Sequence, residues 1–263
     1  MRQWFAHGLR GRRSGMVLLL VLLALWELSA RLEWLPAMSW PRMSAVAATL
    51  GQLIASGELL SELGASLWRM ALGYALGVLL GVIVGVLMGS FRAIYNLLEP
   101  ITEILRPIPS PAYVPIAILF LGIDDEMKIF MIAFSAFFPV LLNTYSGVRA
   151  VDPVLLQTAK TFGVRGVRLV RQVVLPAAAP YIFTGMRVSL AVALIVMVIS
   201  EMVAASNGIG YFVLAAQRGF KVREMFAGVI TLAAVGYGLN WLFLLIEQRV
   251  LAWHHGYSAQ HRD

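Results

Sequence analysis

The chain has 263 residues, of which 60% are hydrophobic and 13% are charged. Soluble domains carry about 25% charged residues, so this composition excludes an ordinary soluble domain and indicates an integral membrane protein. The absence of cysteine excludes disulfides and thiolate metal sites. The net charge of +7 arises from basic residues that flank apolar segments, which is typical of membrane orientation signals and not of nucleic-acid binding.

Residues 1–14 are predicted to form a cytoplasmic tail, because four arginines precede the first apolar segment. That segment could be a cleavable signal peptide, but Trp26 and Glu27 follow its apolar core and no clear small-residue cleavage site appears. We therefore favour an uncleaved first membrane span.

An apolar helix needs about 20 residues to cross a bilayer, and six segments approach or reach this length. We expect an all-α integral membrane protein with about six transmembrane helices and one transmembrane domain over residues 15–249. Residues 250–263 are predicted to be a second cytoplasmic tail. The six segments are approximately 15–30, 67–88, 101–121, 127–148, 178–203 and 226–246.

The connections between these segments set the expected orientation. Six spans and a cytoplasmic N-terminus place the basic connection 149–177 and the C-terminus inside the cell, and the acidic connection 122–126 outside. The connection 204–225 conflicts with this assignment, since it carries three basic residues yet falls outside. Between the first two spans, residues 31–66 predict a short amphipathic helix and a turn at Ser56-Gly57 on the outer face.

The second span carries a glycine at every fourth position: Gly73, Gly77, Gly81, Gly85 and Gly89. Residues four apart lie on one helix face, and small residues on such a face let another helix approach closely in lipid. We favour packing within the chain, with a dimer interface as the alternative.

The third span begins with LRPIPSPAYVP. Prolines break the helical hydrogen-bond ladder, and freed carbonyls at membrane depth require protein or a water-filled cavity. We therefore name Arg106, Pro109 and Ser110 as candidates for lining a translocation path. An equal alternative is that Arg106 only marks the cytoplasmic end of the span.

Two polar residues within other spans complete the list of path candidates. Glu201 ends the fifth span, where an acidic side chain is a functional hypothesis, although a position at the outer interface, where the charge costs little, is the favoured alternative. Asn143 is also a path candidate, and for Asn143 and Asn240 a hydrogen bond between helices is the favoured role.

No catalytic constellation is visible. The four histidines lie near the termini, and the zinc-protease, nucleophile-elbow and phosphate-loop motifs do not occur in the sequence. We therefore predict no enzymatic activity, no bound metal and no cofactor for this chain.

The basic connection has the features of two short helices. Asp152-Pro153 is typical of a helix start, and Gly163 is well placed to end a helix over 154–162. A second helix is predicted over 164–174, limited by Pro176, with three arginines on one face. Its apolar face is expected to hold Val167, Leu169, Val170, Val173 and Val174. Such a helix also suits anionic lipid.

The spacing within this connection resembles the cytoplasmic loop of permease subunits from bacterial binding-protein-dependent ABC importers. That loop reads Glu-Ala-Ala, three residues, Gly, nine residues, Ile-x-Leu-Pro. Gln157, Thr158 and Ala159 stand at the first three positions, so the glutamate and the first alanine are replaced. Gly163, Leu175 and Pro176 match in register, and Val173 replaces the isoleucine. The glycine ladder, the proline-rich run and EMVAASNGIGYFV resemble the nitrate, sulfonate and taurine branch.

The resemblance implies a function for the chain. It would be an inner-membrane permease, paired with a second permease copy and embedded in lipid. Separate cytoplasmic ATPase subunits would dock on the basic connection 149–177, named the coupling loop after this expected role. A periplasmic solute-binding protein would deliver a small anion such as a sulfonate, taurine or nitrate. A secondary transporter driven by an ion gradient is the alternative, with Glu201 as its only candidate for a coupling-ion site.

Overall fold

The structure, a computed structural model, describes the backbone of residues 2–36 and 39–252, and the side chains of that part from residue 17 onward. The four histidine side chains and most of the predicted C-terminal tail lie outside this part. The described residues form helices and connections, with no strand among them.

The helices follow one another with short connections. Their bounds are α1 Arg2–Arg31, α2 Met43–Ala55, α3 Glu58–Ser90, α4 Arg92–Leu105, α5 Val114–Leu121, α6 Asp125–Arg149, α7 Pro153–Thr161, α8 Gly166–Leu169, α9 Leu175–Ala204, α10 Ile209–Arg218 and α11 Val222–Val250. A 3₁₀ turn, Ser110–Tyr113, precedes α5, and a π-helical turn, Val170–Val174, joins α8 to α9. The chain divides into two compact units. Unit 1 comprises the described residues up to Ser61 and Phe212–Thr231, and unit 2 comprises Glu62–Tyr211 and the described residues from Leu232 onward.

Within the described residues, four helical stretches are long and apolar enough to cross a membrane: Glu58–Ser90, Asp125–Arg149, Gly166–Ala204 and Val222–Val250. They contain the predicted second, fourth, fifth and sixth spans. The predicted first span lies within α1. The all-helical membrane fold predicted from the sequence is confirmed.

The third predicted span is wrong as a single helix. Helix α4 ends at Leu105, and the axes of α4 and the 3₁₀–α5 segment differ by 90°. The reason is the proline-rich run: each proline removes a backbone donor, and its ring excludes the preceding turn of helix. The result is a broken span or a re-entrant segment, counted as a fifth crossing only if both halves act as one.

Unit 1 is organised around α1 and α2. The Glu27 carboxylate accepts hydrogen bonds from the backbone N–H and the hydroxyl of Ser44, both at 3.0 Å, and so caps the first turn of α2. The Trp26 ring packs against Trp40 and Phe226, with ring centroids 5.1 and 5.2 Å away. The predicted helix and turn before α3 are confirmed, since α2 ends at Ala55 and Gly57 adopts φ +78°.

Unit 2 is built on α6, which packs against α3, α5 and α9. The glycines of α3 lie against α6 in parallel register, so that a Cβ added at Gly73 or Gly89 would lie 2.7 Å from Ile132 Cβ or 2.6 Å from Val148 Cβ. This confirms packing of the glycine ladder within the chain. On another face, α9 runs antiparallel to α6, with Gly147 against Tyr181 and Gly185 against Asn143.

Candidate functional site: the coupling loop and a buried polar cluster

The loop between α6 and α9 starts with a well-capped helix. Asp152 Oδ1 accepts a 2.7 Å hydrogen bond from Val154 N, and Pro153 occupies the first turn of α7. At the other end Gly163 adopts φ +77°. Its N–H donates to Lys160 O at 3.0 Å, and Val164 N–H donates to Ala159 O at 2.9 Å. These two bonds form a Schellman motif, so the predicted helix with a glycine end is confirmed.

The residues of α7 that carry the spacing differ in exposure. Ala159 is buried, whereas the side chains of Gln157 and Thr158 are exposed. A Cβ at Gly163 would meet nothing within 4 Å, so the structure needs glycine there for its backbone angle and not for close packing. The side chains of Gln157 and Thr158 therefore face outward, and the side chain of Ala159 packs in the interior.

The second helix of the loop differs from the prediction. It is not limited by Pro176: α8, the π-helical turn and α9 run on as one 39-residue stretch. Proline lacks an N–H, and a π turn is a local adjustment that absorbs such a missing bond. The predicted apolar face is wrong at Val167, which is 84% exposed, but Val174 on the same face is buried. The predicted arginines, Arg165, Arg168 and Arg171, are all exposed.

The loop is fixed to the rest of unit 2 by an apolar cluster. Val148 in the last turn of α6 and Val151 just after it pack with Val174 in the π-helical turn and Ala178 in the first turn of α9. Leu156 from α7 and Leu169 from α8 pack against this cluster. One apolar cluster therefore includes residues of both short helices and of both long helices.

The path candidates near α4 occupy the surface of the break between α4 and α5. Arg106 follows the last residue of α4, is about half exposed, and pairs with Glu103 at 3.3 Å on the same helix. Pro109 precedes the 3₁₀ turn and Ser110 begins it. All three are thus at the 90° bend, and their contribution to a path remains a prediction.

The expected interhelical role of the two asparagines is wrong for Asn143. Its Nδ2 donates to Pro139 O at 2.8 Å, four residues earlier on α6. Pro139 lies inside α6 and interrupts the hydrogen-bond ladder there. Asn240 makes no side-chain hydrogen bond to any described residue.

Glu201 is not at an interface but in the interior of unit 2, where it is fully buried. Arg69 on α3, only 3% exposed, donates from Nη1 to Glu201 Oε1 at 2.9 Å. The Ser66 hydroxyl lies 2.8 Å from both carboxylate oxygens. Gly210 N donates to Oε2 at 3.0 Å. A buried carboxylate with an arginine partner and several donors is an ion pair with its hydrogen-bonding capacity largely used.

Two residues of α6 extend this cluster to the surface. Arg69 Nε donates to Asp125 Oδ1 at 2.7 Å, and the Asp125 side chain is 51% exposed. Lys128, 3% exposed, donates from Nζ to Ile123 O at 2.8 Å and lies 3.8 Å from Asp125 Oδ1. The cluster thus joins α3, α6 and α9 at the end of unit 2 remote from the coupling loop, which follows the opposite end of α6.

The connection from α9 to α10 is held by the same residues. The Arg69 guanidinium donates to the backbone and side-chain carbonyls of Asn207. Gly208 N donates to the Glu62 carboxylate, and Ile209 N donates to Ser66 Oγ at 2.8 Å. These N–H groups, with that of Gly210, are the unpaired donors at the start of α10, so the cluster caps this helix.

Residues 77–252, more than half of the chain, match the family described as the binding-protein-dependent transport system inner membrane component. The chain belongs to this family. The matched region contains the whole coupling loop and the buried Glu201, and the family identifies the chain as a multi-pass membrane permease, a transport subunit.

The permease has relatives along nearly its whole length. It is 36% identical over 249 residues to a Bacillus subtilis protein named as an aliphatic sulfonates transport permease, SsuC, covering 95% of this chain and 90% of that protein. It is 34% identical to the Escherichia coli protein of the same name, covering 91% of each. It is 31% identical to the taurine transport system permease TauC of Escherichia coli, covering 90% of this chain and 88% of that one.

Solved structures share the fold of the permease. A chain of the MetNI methionine ABC transporter superposes with a TM-score of 0.63 at 19% identity, covering 74% of this chain and 94% of that one. A chain of an amino acid ABC transporter gives a TM-score of 0.60 at 19% identity, covering 76% and 96%. These likenesses agree with the helical architecture.

Sequence reasoning named Glu201 of the permease's buried cluster but missed its partners. Arg69 lies within the predicted second span and Lys128 within the fourth, and ionisable residues in spans are rare. The positive charges of these two residues, opposite in sign to Glu201, were a usable signal for pairing. The roles of Ser66 and Asn207 had no such signal, because a serine in a helix and an asparagine in a connection are common.

Proposed function

We propose that this chain is the permease subunit of an ATP-driven importer in a bacterial inner membrane, which takes a small anionic solute from a periplasmic binding protein. The observation that carries the proposal is the coupling loop. Its two short helices, joined through Gly163, are fixed to α6 and α9 and expose apolar side chains outside the predicted spans.

The exposed apolar side chains make the loop a docking surface for another protein. Val154 is 67% exposed, Leu155 45%, Phe162 81% and Val167 84%. Several large exposed apolar side chains on one short, basic loop favour a protein contact. We propose that a cytoplasmic ATPase subunit covers this surface, with the exposed arginines contributing electrostatic attraction.

Energy for transport comes, in this proposal, from that second chain. The sequence holds no phosphate-binding loop, so ATP hydrolysis belongs to the docked subunit. Closure of two ATPase subunits would move the coupling loop, and the cluster of Val151, Leu156, Val174 and Ala178 would pass this displacement to α6 and α9.

The names of the relatives support a sulfonate as the solute. Aliphatic sulfonates and taurine, named for SsuC and TauC, share a sulfonate group with a single negative charge. We propose an alkyl or aminoalkyl sulfonate as the substrate class, with nitrate as a smaller anion to be compared. Selection would rest mainly on the binding protein.

The arrangement in the membrane follows from the proposed docking. The coupling loop, the N-terminus and the C-terminus would face the cytoplasm, and the Asn207–Gly210 connection would face the periplasm. A second copy of the chain would complete the path, with lipid around both. Apolar side chains on the described spans are widely exposed, including Leu79, Ile83 and Ile195, as contacts with lipid or a second copy require.

The alternative of an ion-gradient-driven transporter finds little support in the site. It would need an acidic residue that exchanges a proton or cation with solvent. Glu201 is fully buried and bonded to Arg69, Ser66 and Gly210, so the surrounding groups already neutralise and solvate it.

Reconstitution separates the two functions. Proteoliposomes containing this chain, its ATPase and its binding protein should accumulate labelled taurine or an alkyl sulfonate only with ATP on the ATPase side. Uptake should persist when ionophores collapse the proton and sodium gradients. Uptake that needs an ion gradient and proceeds without ATP would contradict the proposal. Competition with nitrate then tests the substrate class.

A further inference from the structure

The buried polar cluster has a geometry that the docking of an ATPase does not explain. Arg69 donates to Asp125 at 2.7 Å, to Glu201 at 2.9 Å and to the backbone carbonyl of Asn207 at 3.2 Å. One side chain on α3 therefore connects α6, α9 and the connection that leads to α10.

The connection between α9 and α10, together with Ile209 and Gly210 at the start of α10, is shaped around the Glu201 carboxylate. Gly208 adopts φ +108°, and a Cβ there would lie 2.5 Å from Glu201 Cδ. A Cβ at Gly210 would lie 2.6 Å from Val198 O and 2.9 Å from Glu201 Cβ. Gly208 is required by its close approach to the carboxylate, and Gly210 by its close approach to the α9 backbone and the Glu201 side chain. The conformation of this segment therefore depends on the position of Glu201.

A buried ion pair is a poor way to add stability, because removing two charges from water costs about as much as their attraction returns. Apolar side chains would hold the segments together at least as well. Polar groups differ from apolar ones in that they can exchange hydrogen-bond partners. Arg69, Glu201 and the backbone N–H groups can each bond to water once the connection moves away. A contact of this kind can separate and re-form, as two-state elements do.

We propose that Arg69 and Glu201 are the positioning residues of a latch, which holds the Asn207–Gly210 connection in the conformation seen here and releases it during the transport cycle. Water would first reach the pair of Arg69 and Glu201 at the half-exposed Asp125. The latch lies at the far end of α6 from the coupling loop, about 36 Å away along the 25-residue helix. The release step rests on the proposed function, whereas the holding step depends on this chain alone.

The absence of cysteine in the sequence permits a direct measurement. Cysteines introduced at Gly64, where a Cβ meets nothing within 4 Å, and at the exposed Ser206 carry spin labels on α3 and on the connection. The labelled chain, mixed with an excess of unlabelled chain so that the distance lies within one copy, is assembled with its ATPase and binding protein in nanodiscs and measured by pulsed electron paramagnetic resonance. Without nucleotide we expect one narrow distance, and with a trapped ATP state a second, longer distance.

Glu201→Gln removes the ion pair and keeps the size of the side chain. Hydrogen bonds to charged groups shift an equilibrium by roughly ten- to a hundredfold, so the fraction with the longer distance should rise about tenfold or more without nucleotide. ATP hydrolysis should also become independent of the binding protein. Glu201→Asp, which keeps the charge, should recover part of both properties. Glu103→Gln, which removes the exposed pair with Arg106, is the matched control and should change neither.

The outcomes are distinct. If Glu201→Gln leaves the distances of the parent unchanged, or if the parent shows one distance in every nucleotide state, the latch is refuted. If Glu201→Gln releases the connection but the assembled parent imports no solute with ATP, the holding role stands and the proposed function fails. If the variant does not assemble, Ser66→Ala, which deletes the hydroxyl bonded to Glu201 and Ile209, is measured in the same way and must release the connection for the proposal to survive.

Discussion

Gly77 on α3 lies so close to Ala133 on α6 that a Cβ at Gly77 would stand 2.5 Å from the Ala133 carbonyl oxygen. The same Cβ would lie 2.9 Å from Ala136 Cβ. The atom that such a Cβ would meet belongs to the backbone, which cannot move aside by changing a side-chain rotamer. Comparable contacts recur at each glycine of the ladder, so the helices interlock over four turns.

The first prediction concerns this interlock. Gly77→Ala should destabilise the protein by about 1–3 kcal/mol, the usual cost of forcing extra atoms into a packed contact. Thermal unfolding in detergent, followed by the loss of monodisperse protein, measures the change.

Gly64→Ala is the matched control on the same helix. A Cβ there meets nothing within 4 Å, so alanine should stabilise the helix by about 0.5–1 kcal/mol. Equal effects of the two substitutions would show that the α3–α6 contact is looser than described.

The second prediction concerns the backbone angle in the coupling loop. Gly163→Val should strain the loop by roughly 1–2 kcal/mol, because a β-branched residue at φ +77° clashes with its own backbone. The Schellman bonds should weaken, and ATPase stimulation by the loaded binding protein should fall. Gly163→Asn, which tolerates this angle, should retain stimulation.

Gly57→Val supplies the control for strain alone. Gly57 has φ +78° and open surroundings in the turn between α2 and α3. The Gly57→Val variant should lose about as much stability as Gly163→Val but keep ATPase stimulation. Loss of stimulation in Gly57→Val would mean that the coupling loop has no special role.

The third prediction concerns the docking surface. Phe162 is 81% exposed, so Phe162→Ser should leave the melting temperature nearly unchanged. Burial of an aromatic ring at a protein contact is typically worth more than about 1 kcal/mol. We therefore expect roughly a tenfold loss of affinity for the ATPase, measured by copurification and titration.

Phe220→Ser is its counterpart, since Phe220 is 75% exposed but lies between α10 and α11. It should bind the ATPase as the parent does. Normal ATPase binding by Phe162→Ser would contradict the proposed docking surface.

Much of the fold follows from local sequence. Length and apolarity predicted the spans, because a bilayer imposes both on any helix that crosses it. Gly163 predicted the end of α7, because its left-handed angle is a local property of the chain. Prolines 107–115 predicted a break, although the 90° bend was not foreseen and the third span was wrongly drawn as one element.

The sequence by itself determined the membrane class, the helix–glycine–helix loop and the close packing that the repeated glycines demand, since these depend on residue type and spacing alone. Only the tertiary structure decided that the glycines face α6, that Val167 is exposed, that α8 continues past Pro176 into α9, and that Arg69 meets Glu201. These two residues are 132 positions apart. A charged residue in a span indicates that a partner of opposite charge is needed. Which residue becomes that partner depends on which helices pack together and in what register.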